Sequence, residues 1–281
     1  MKIKISTILI LAFICFVSTT FATPVNGNYT DTTLLAENKA GRPVVEETTI
    51  PSNVNFPAAL EENRDLSIDY IHKFSESKKN YLLNIYKQGK KIFPKVTAIL
   101  SRYGLPEELK VLIALESNFN GNAISRAGAV GYWQIMDDVA KEYGLKIDVN
   151  HTIKGNSSNK DERKNFKKST IAAARYLKDR CKNLNDDLLL IVAAYNWGIG
   201  NIWNVMKKCG KAKPSFWDIK KYLPAETRNY VMNFITMNVI FNNMDKFATH
   251  SLLFDSKTVR LVTTPEISDD SQNSPGITSL Q

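Results

Sequence analysis

With only three cysteines and three histidines in 281 residues, the chain has little with which to build a metal centre. His72, His151 and His250 are scattered, and no cysteine pair has zinc-ligand spacing, so no metal and no cofactor is expected. No apolar run reaches the ~20 residues needed to cross a bilayer. No convincing alternating strand pattern is present either, which points away from sheet folds. Gly198-Ile-Gly200 lacks a third glycine and a preceding strand, so it fails as a nucleotide loop. Long basic clusters are absent too: Lys78-Lys79, Lys90-Lys91 and Lys207-Lys208 are short and read as solvated helix faces, which argues against nucleic acid as a partner.

What is present begins at the N-terminus. Lys2 and Lys4 precede a short apolar core, and Thr20-Phe21-Ala22 offers a small-x-small cleavage site, so residues 1–22 read as a secretory signal peptide. Ile14 stands before Cys15 where a lipidation site would have a small residue, so no stable membrane anchor is expected after cleavage. Loss of Lys2 and Lys4 reduces the formal charge from +9 to +7, with 35 basic residues against 28 acidic ones. An exported, moderately basic protein suits anionic polymers or surfaces, the cell wall included. The two remaining cysteines, Cys181 and Cys209, fit either a disulfide worth roughly 3 kcal/mol or two free thiols.

Residues 23–65 are rich in Thr, Asn, Pro and Glu and read as a flexible N-terminal segment. From 66 to 250 the pattern is helical. Tyr70, Phe74, Tyr81, Ile85 and Ile92 recur at helical intervals, Pro94 reads as a helix start and Gly104 as its stop, and further helices are predicted near 105–115, 137–143, 169–182, 187–195, 201–208 and 224–243. Lys146–Lys168 is a polar excursion, and 251–281 reads as a loose C-terminal tail. The fold class is all-α, with flexible segments at both ends.

The stretch Glu116–Met136, ESNFNGNAISRAGAVGYWQIM, carries the chemistry. Glu116 falls four residues after Leu112 and seven after Leu109, on a leucine-bearing helix face. Partial desolvation there would favour the neutral acid, and an acid still protonated near neutral pH can donate a proton. From the helix alone, a carboxylate that merely caps the helix or pairs with an arginine is the favoured reading. The loop favours the first reading: Gly121, Gly128 and Gly131 permit tight turns, Ser125 and Gln134 supply hydrogen bonds, and Tyr132 and Trp133 supply flat surfaces. That mixture suits carbohydrate. A helix-to-helix turn after Ala193 displays Tyr195 and Asn196, and the helix opened by Leu223-Pro-Ala-Glu carries Tyr230, as core or as a site hydroxyl. Asp137 and Asp138 read as a helix N-terminus.

Taken in order, Glu116-Ser117, Ser125–Met136, Ala194–Gly200 and Leu223–Tyr230 resemble the motifs of family 1 soluble-type (SLT domain) lytic murein transglycosylases over about residues 90–245. Asp161-Glu-Arg163 and Ser169–Leu177 resemble the membrane-bound D subgroup of that family. The resemblance implies a goose-lysozyme-like helical fold that cuts the β-1,4 bond between N-acetylmuramic acid and N-acetylglucosamine in peptidoglycan. It also implies that Glu116 acts first as acid and then as base, with Ser125, Gln134, Tyr195, Asn196 and Tyr230 around the sugars; for Ser117, Trp133 and Met136, local packing serves as well. Peptidoglycan glycan strands are the implied partner and the periplasm or exterior the implied location. Nothing after residue 250 resembles the glycan-binding repeats that often follow this domain. A hydrolytic muramidase and a non-catalytic wall-binding protein are the alternative readings.

Overall fold

The computed structural model describes residues 44–147, 161–255 and 257–263. The expected signal peptide, Cys15, His151, residues 148–160 of the polar excursion and the tail beyond 263 lie outside the described residues. The chain divides into two compact units, one comprising residues 54–252 and the other containing 44–53 and 253–263.

The smaller unit contains an antiparallel ribbon. Strand β1 (Val44–Ile50) pairs with β2 (Lys257–Thr263), Val44 opposite Thr263 and Ile50 opposite Lys257. Ser52 Oγ and the Asn53 amide both donate to the Leu253 carbonyl, at 3.1 and 3.0 Å, where the two segments meet. This corrects the expectation that no strand is present. Both segments are rich in threonine and valine, whose branched β-carbons favour extended backbone, but threonine carries that preference without hydrophobicity and so hides the alternation.

The larger unit is helical, as expected. Helix α1 (Ile68–Ser77) leads into the 24-residue α2 (Lys79–Arg102). Pro94 lies inside α2 instead of starting a helix, which corrects the sequence reading. The buried stripe Leu82, Ile85, Gly89, Phe93, Val96 and Leu100 runs through the proline at helical spacing, and its burial outweighs the ~3 kcal/mol that an interior proline costs. Gly104 ends this segment with φ +62°, as predicted. A 3-10 turn (Glu107–Val111) then precedes α3 (Leu112–Ser117), and α4 (Asp137–Glu142) carries Asp137 and Asp138 in its first turn.

Helix α5 (Phe166–Asn183) begins three residues earlier than predicted because the Asn165 side chain caps it, accepting from the Lys168 amide at 3.0 Å. Helices α6 (Leu188–Trp197), α7 (Ile199–Cys209), α8 (Phe216–Ile219), α9 (Ala225–Asn242) and α10 (Met244–Ala248) follow. Two of them form the centre. α6 opens with Leu-Leu-Leu-Ile-Val-Ala-Ala, and α9 buries Val231, Met232, Phe234, Ile235, Met237, Val239 and Ile240, so both are apolar around most of their circumference and pack together. Cys181 and Cys209 are free thiols, the first buried.

Candidate active site

Glu116 stands one residue before the end of α3, and the chain beyond it reverses sharply. Asn118 and Phe119 take left-handed φ values of 48° and 65°, a conformation that asparagine tolerates and phenylalanine adopts only under constraint. The loop that follows is held by its own bonds. Ser117 Oγ donates to the Tyr132 carbonyl at 2.8 Å, Val130 and Ile135 exchange amide-to-carbonyl bonds at 3.1 Å, and the Gly131 amide donates to Ala123 at 2.8 Å. Gly131 has φ +84°, and a Cβ there would come within 2.1 Å of the Arg163 carbonyl oxygen, so no other residue fits.

Arg163 fastens this loop from behind. It is fully buried, with Nε bonded to Asp161 Oδ1 at 3.0 Å and Nη2 to Asp161 Oδ2 at 2.7 Å. Its Nη1 donates to the Ile135 carbonyl at 3.2 Å and also to the Asp137 carboxylate. Burial opposes the guanidinium charge, but Asp161 and Asp137 outweigh it and hold the group above its ordinary pKa. Trp133 is likewise fully buried; its Nε1 donates to Thr170 Oγ1 at 3.0 Å, and its carbonyl accepts the Tyr195 hydroxyl at 2.7 Å. Trp133 and Ser117 are thus loop supports, and Met136 is the residue before α4.

Glu116 is the centre of a cluster of phenols. Tyr230 Oη, from the second turn of α9, donates to Glu116 Oε1 at 2.5 Å. Although part of Glu116 still reaches solvent, burial pushes its carboxyl up to about 7, with the Tyr230 hydrogen bond pulling the other way. No neighbouring carboxylate contributes to that shift. Tyr195 and Tyr230 are pushed well above the ordinary phenol value by burial and then by the Glu116 charge, so both are neutral donors. Tyr176 completes the group, its ring edge-on to Tyr195 at 5.5 Å; burial is the main cause raising its pKa, with the Glu116 charge a smaller one.

The hydrogen bond from Tyr230 stabilises the charged form of Glu116, so its removal raises the Glu116 pKa further. Tyr230→Phe is therefore expected to move the alkaline midpoint of kcat/KM against pH upward by roughly one pH unit. It also lowers kcat, because the carboxylate loses its donor. An unchanged pH profile would show that the short contact has no role in tuning the acid.

The structure brings Glu116 and Tyr230 into direct contact and sets Tyr195 within electrostatic reach of both. Gln134 takes φ +45° and uses its Nε2 on the Gly131 and Ala123 carbonyls at 2.9 and 3.2 Å, so only its Oε1 is left to face a ligand. Ser125 Oγ accepts the Ala129 amide at 3.0 Å, and neither residue bonds Glu116. Asn196 is half-buried and makes no side-chain hydrogen bond among the described residues. Sequence reasoning missed Tyr176, whose one signal was a lone aromatic after the Ala172-Ala173-Ala174 run, and it did not see Arg163 as a clamp. A separate open cavity of about 370 Å³, lined by Tyr86, Phe93, Glu107, Lys110, Asn238 and Phe241 among others, includes neither Glu116 nor Tyr230.

The chain is similar to several known proteins. The chain is 30% identical over 190 residues to membrane-bound lytic murein transglycosylase D of Escherichia coli (strain K12), covering 67% of this chain and 37% of that protein. It is also 30% identical over 126 residues to a putative tributyltin chloride resistance protein of Alteromonas sp. (strain M-1), covering 44% of this chain and 56% of that one. Among solved structures, an inactive mutant of the lytic transglycosylase Slt from Pseudomonas aeruginosa aligns with a TM-score of 0.43 at 19% identity, over 70% of this chain and 34% of its own. The 70 kDa soluble lytic transglycosylase of Escherichia coli aligns with a TM-score of 0.44 at 17% identity, over 69% and 33%. Residues 96–217 match the transglycosylase SLT domain, so the chain carries a domain of the SLT transglycosylase type.

Proposed function

We propose that this chain is a peptidoglycan lytic transglycosylase, cutting the β-1,4 bond between N-acetylmuramic acid and N-acetylglucosamine without water. The observation that carries the proposal is one desolvated glutamic acid with a pKa near 7, hydrogen-bonded by Tyr230 and shifted by no second carboxylate. A glycosidase that works through two carboxylates needs a partner acid ~5–9.5 Å away, whereas a substrate-assisted one does not. The SLT domain match supports the same reading.

In this mechanism protonated Glu116 donates its proton to the leaving glycosidic oxygen as the C–O bond breaks. The acetamido oxygen of the muramic acid residue stabilises the positive charge that develops at C1. Glu116, now a carboxylate held by the Tyr230 hydroxyl, takes the proton of the C6 hydroxyl, and O6 attacks C1 to close a 1,6-anhydro ring. The acid is thereby regenerated. Ser125, the free oxygen of Gln134, Tyr195 and Asn196 hold the sugars around the glutamate.

Residues 66–250 act as the catalytic unit, and residues 1–22 direct export to the periplasm or the exterior, where the substrate lies. Among the described residues no helix is long and apolar enough to cross a membrane. The chain spans 37% of the length of the Escherichia coli transglycosylase. Incubation of the purified chain with sacculi tests the proposal: soluble muropeptides are expected, with release declining above about pH 7 as Glu116 loses its proton. A chain that pellets with sacculi and releases nothing would be a wall-binding protein and no enzyme.

A further inference from the structure

Three half-buried aromatic residues beside the site are not used by the chemistry above. They come from α1 and the first turn of α2, ahead of the matched residues 96–217. Tyr70 and Phe74 lie one helical turn apart and stack with ring centroids 5.9 Å apart and planes within 15°, so the two rings move as one rigid aromatic unit. The third, Tyr81, follows just beyond the helix junction at Lys78.

Each hydroxyl in this group is tied to an element of the candidate site. Tyr70 Oη donates to Asn233 Oδ1 at 2.8 Å, and Asn233 stands three residues beyond Tyr230, about 4.5 Å further along α9. Tyr81 Oη donates to Asn118 Oδ1 at 3.2 Å, and Asn118 is two residues beyond Glu116. The α1–α2 elbow is thus fastened at two points to the chain on either side of the Glu116–Tyr230 contact. With the hydroxyls of Tyr70 and Tyr81 held, those rings have fixed orientations, and rigid aromatic faces beside polar side chains are what the C–H face of a pyranose packs on.

We infer that Tyr70, Phe74 and Tyr81 form a sugar-stacking wall, a binding subsite for the part of a β-1,4 glycan strand that extends from the scissile bond across the α1–α2 elbow. This rests on the proposed transglycosylase function. The wall adds grip on longer strands and leaves the proton chemistry to Glu116. Its removal therefore raises KM for long substrates and leaves kcat for short ones nearly unchanged.

The test uses the full chain carrying Glu116→Gln, so that ligands bind without being cut, and reads affinity for β-1,4-linked N-acetylglucosamine oligomers by calorimetry. Phe74→Ala in this background is expected to weaken hexamer binding roughly tenfold and to leave trimer binding within about twofold. Phe74→Leu keeps the buried volume without the flat face and should lose the same affinity, which covers the case in which the alanine variant folds poorly. Tyr70→Phe retains the stacked rings and should cost less. Equal loss for hexamer and trimer, or no loss for either in folded protein, overturns the wall. Digestion of sacculi by the chain with Glu116 in place keeps the two claims apart: if it releases muropeptides while Phe74 proves neutral, only the wall fails, and if it releases none, the enzymatic reading fails first.

Discussion

Glu116→Gln is expected to lower muropeptide release from sacculi by at least about a thousandfold, because the same side chain gives and later takes the proton and glutamine can do neither. The same substitution should make the protein more stable. In the folded chain burial raises the Glu116 pKa from an ordinary 4.5 to about 7, so the native state holds a proton that the unfolded chain has already released. Stability from this group is complete below pH 4.5, declines as pH rises from there to about 7, and stays reduced above it. Replacing the acid with a neutral amide removes that loss. Unfolding in urea should therefore show Glu116→Gln more stable than the parent by roughly 1–3 kcal/mol near pH 8 and nearly equal to it near pH 4. A variant that is inactive and also less stable at alkaline pH would indicate that Glu116 is a structural carboxylate.

Arg163→Ala should produce the largest loss of stability. The guanidinium and its Asp161 partner have side chains 0% and 1% exposed, and the arginine also carries the Ile135 carbonyl and the Asp137 carboxylate. Truncation leaves the Asp161 charge buried without its main partner, which costs about 3–5 kcal/mol, much more than an exposed ion pair contributes. The damage reaches the site, because the backbone of Arg163 is also what Gly131 packs against. Arg163→Lys should recover little, since an ammonium cannot make the two parallel bonds to one carboxylate. Arg163→Met with Asp161→Leu should recover more than either single change, because the pair removed together leaves no uncompensated charge. Measured midpoints of chemical unfolding decide this, and a loss under about 1 kcal/mol for Arg163→Ala would show the clamp to be dispensable.

The parts of this chain that sequence reveals are those where physical signal and position coincide. Helices α6 and α9 are legible because their apolar residues have no polar face to dilute them, and the leucine spacing before Glu116 foretells its desolvation. Tyr230 could not be assigned from periodicity alone, since Phe234 and Met237 on the same helix are plain core; only the fold brings its hydroxyl to Glu116 across 114 residues of sequence. The left-handed φ values at Phe119 and Gln134 have no sequence signature, because neither position is glycine or asparagine. Pro94 misleads because local propensity yields to a buried stripe that crosses it. Arg163 looks like one more basic residue in a polar stretch until the fold closes Asp161 and Asp137 around it. Tyr70, Phe74 and Tyr81 show in the sequence only as helical periodicity, because the asparagines that hold the two tyrosine hydroxyls come from distant segments.

In the proposed reaction no water is consumed, and digestion of purified sacculi in heavy-oxygen water, read by mass spectrometry, tests this directly. The products are predicted to end in 1,6-anhydromuramic acid, one water lighter than reducing-end muropeptides and free of heavy oxygen at C1. Reducing ends carrying the label would contradict the account and make the protein a hydrolase.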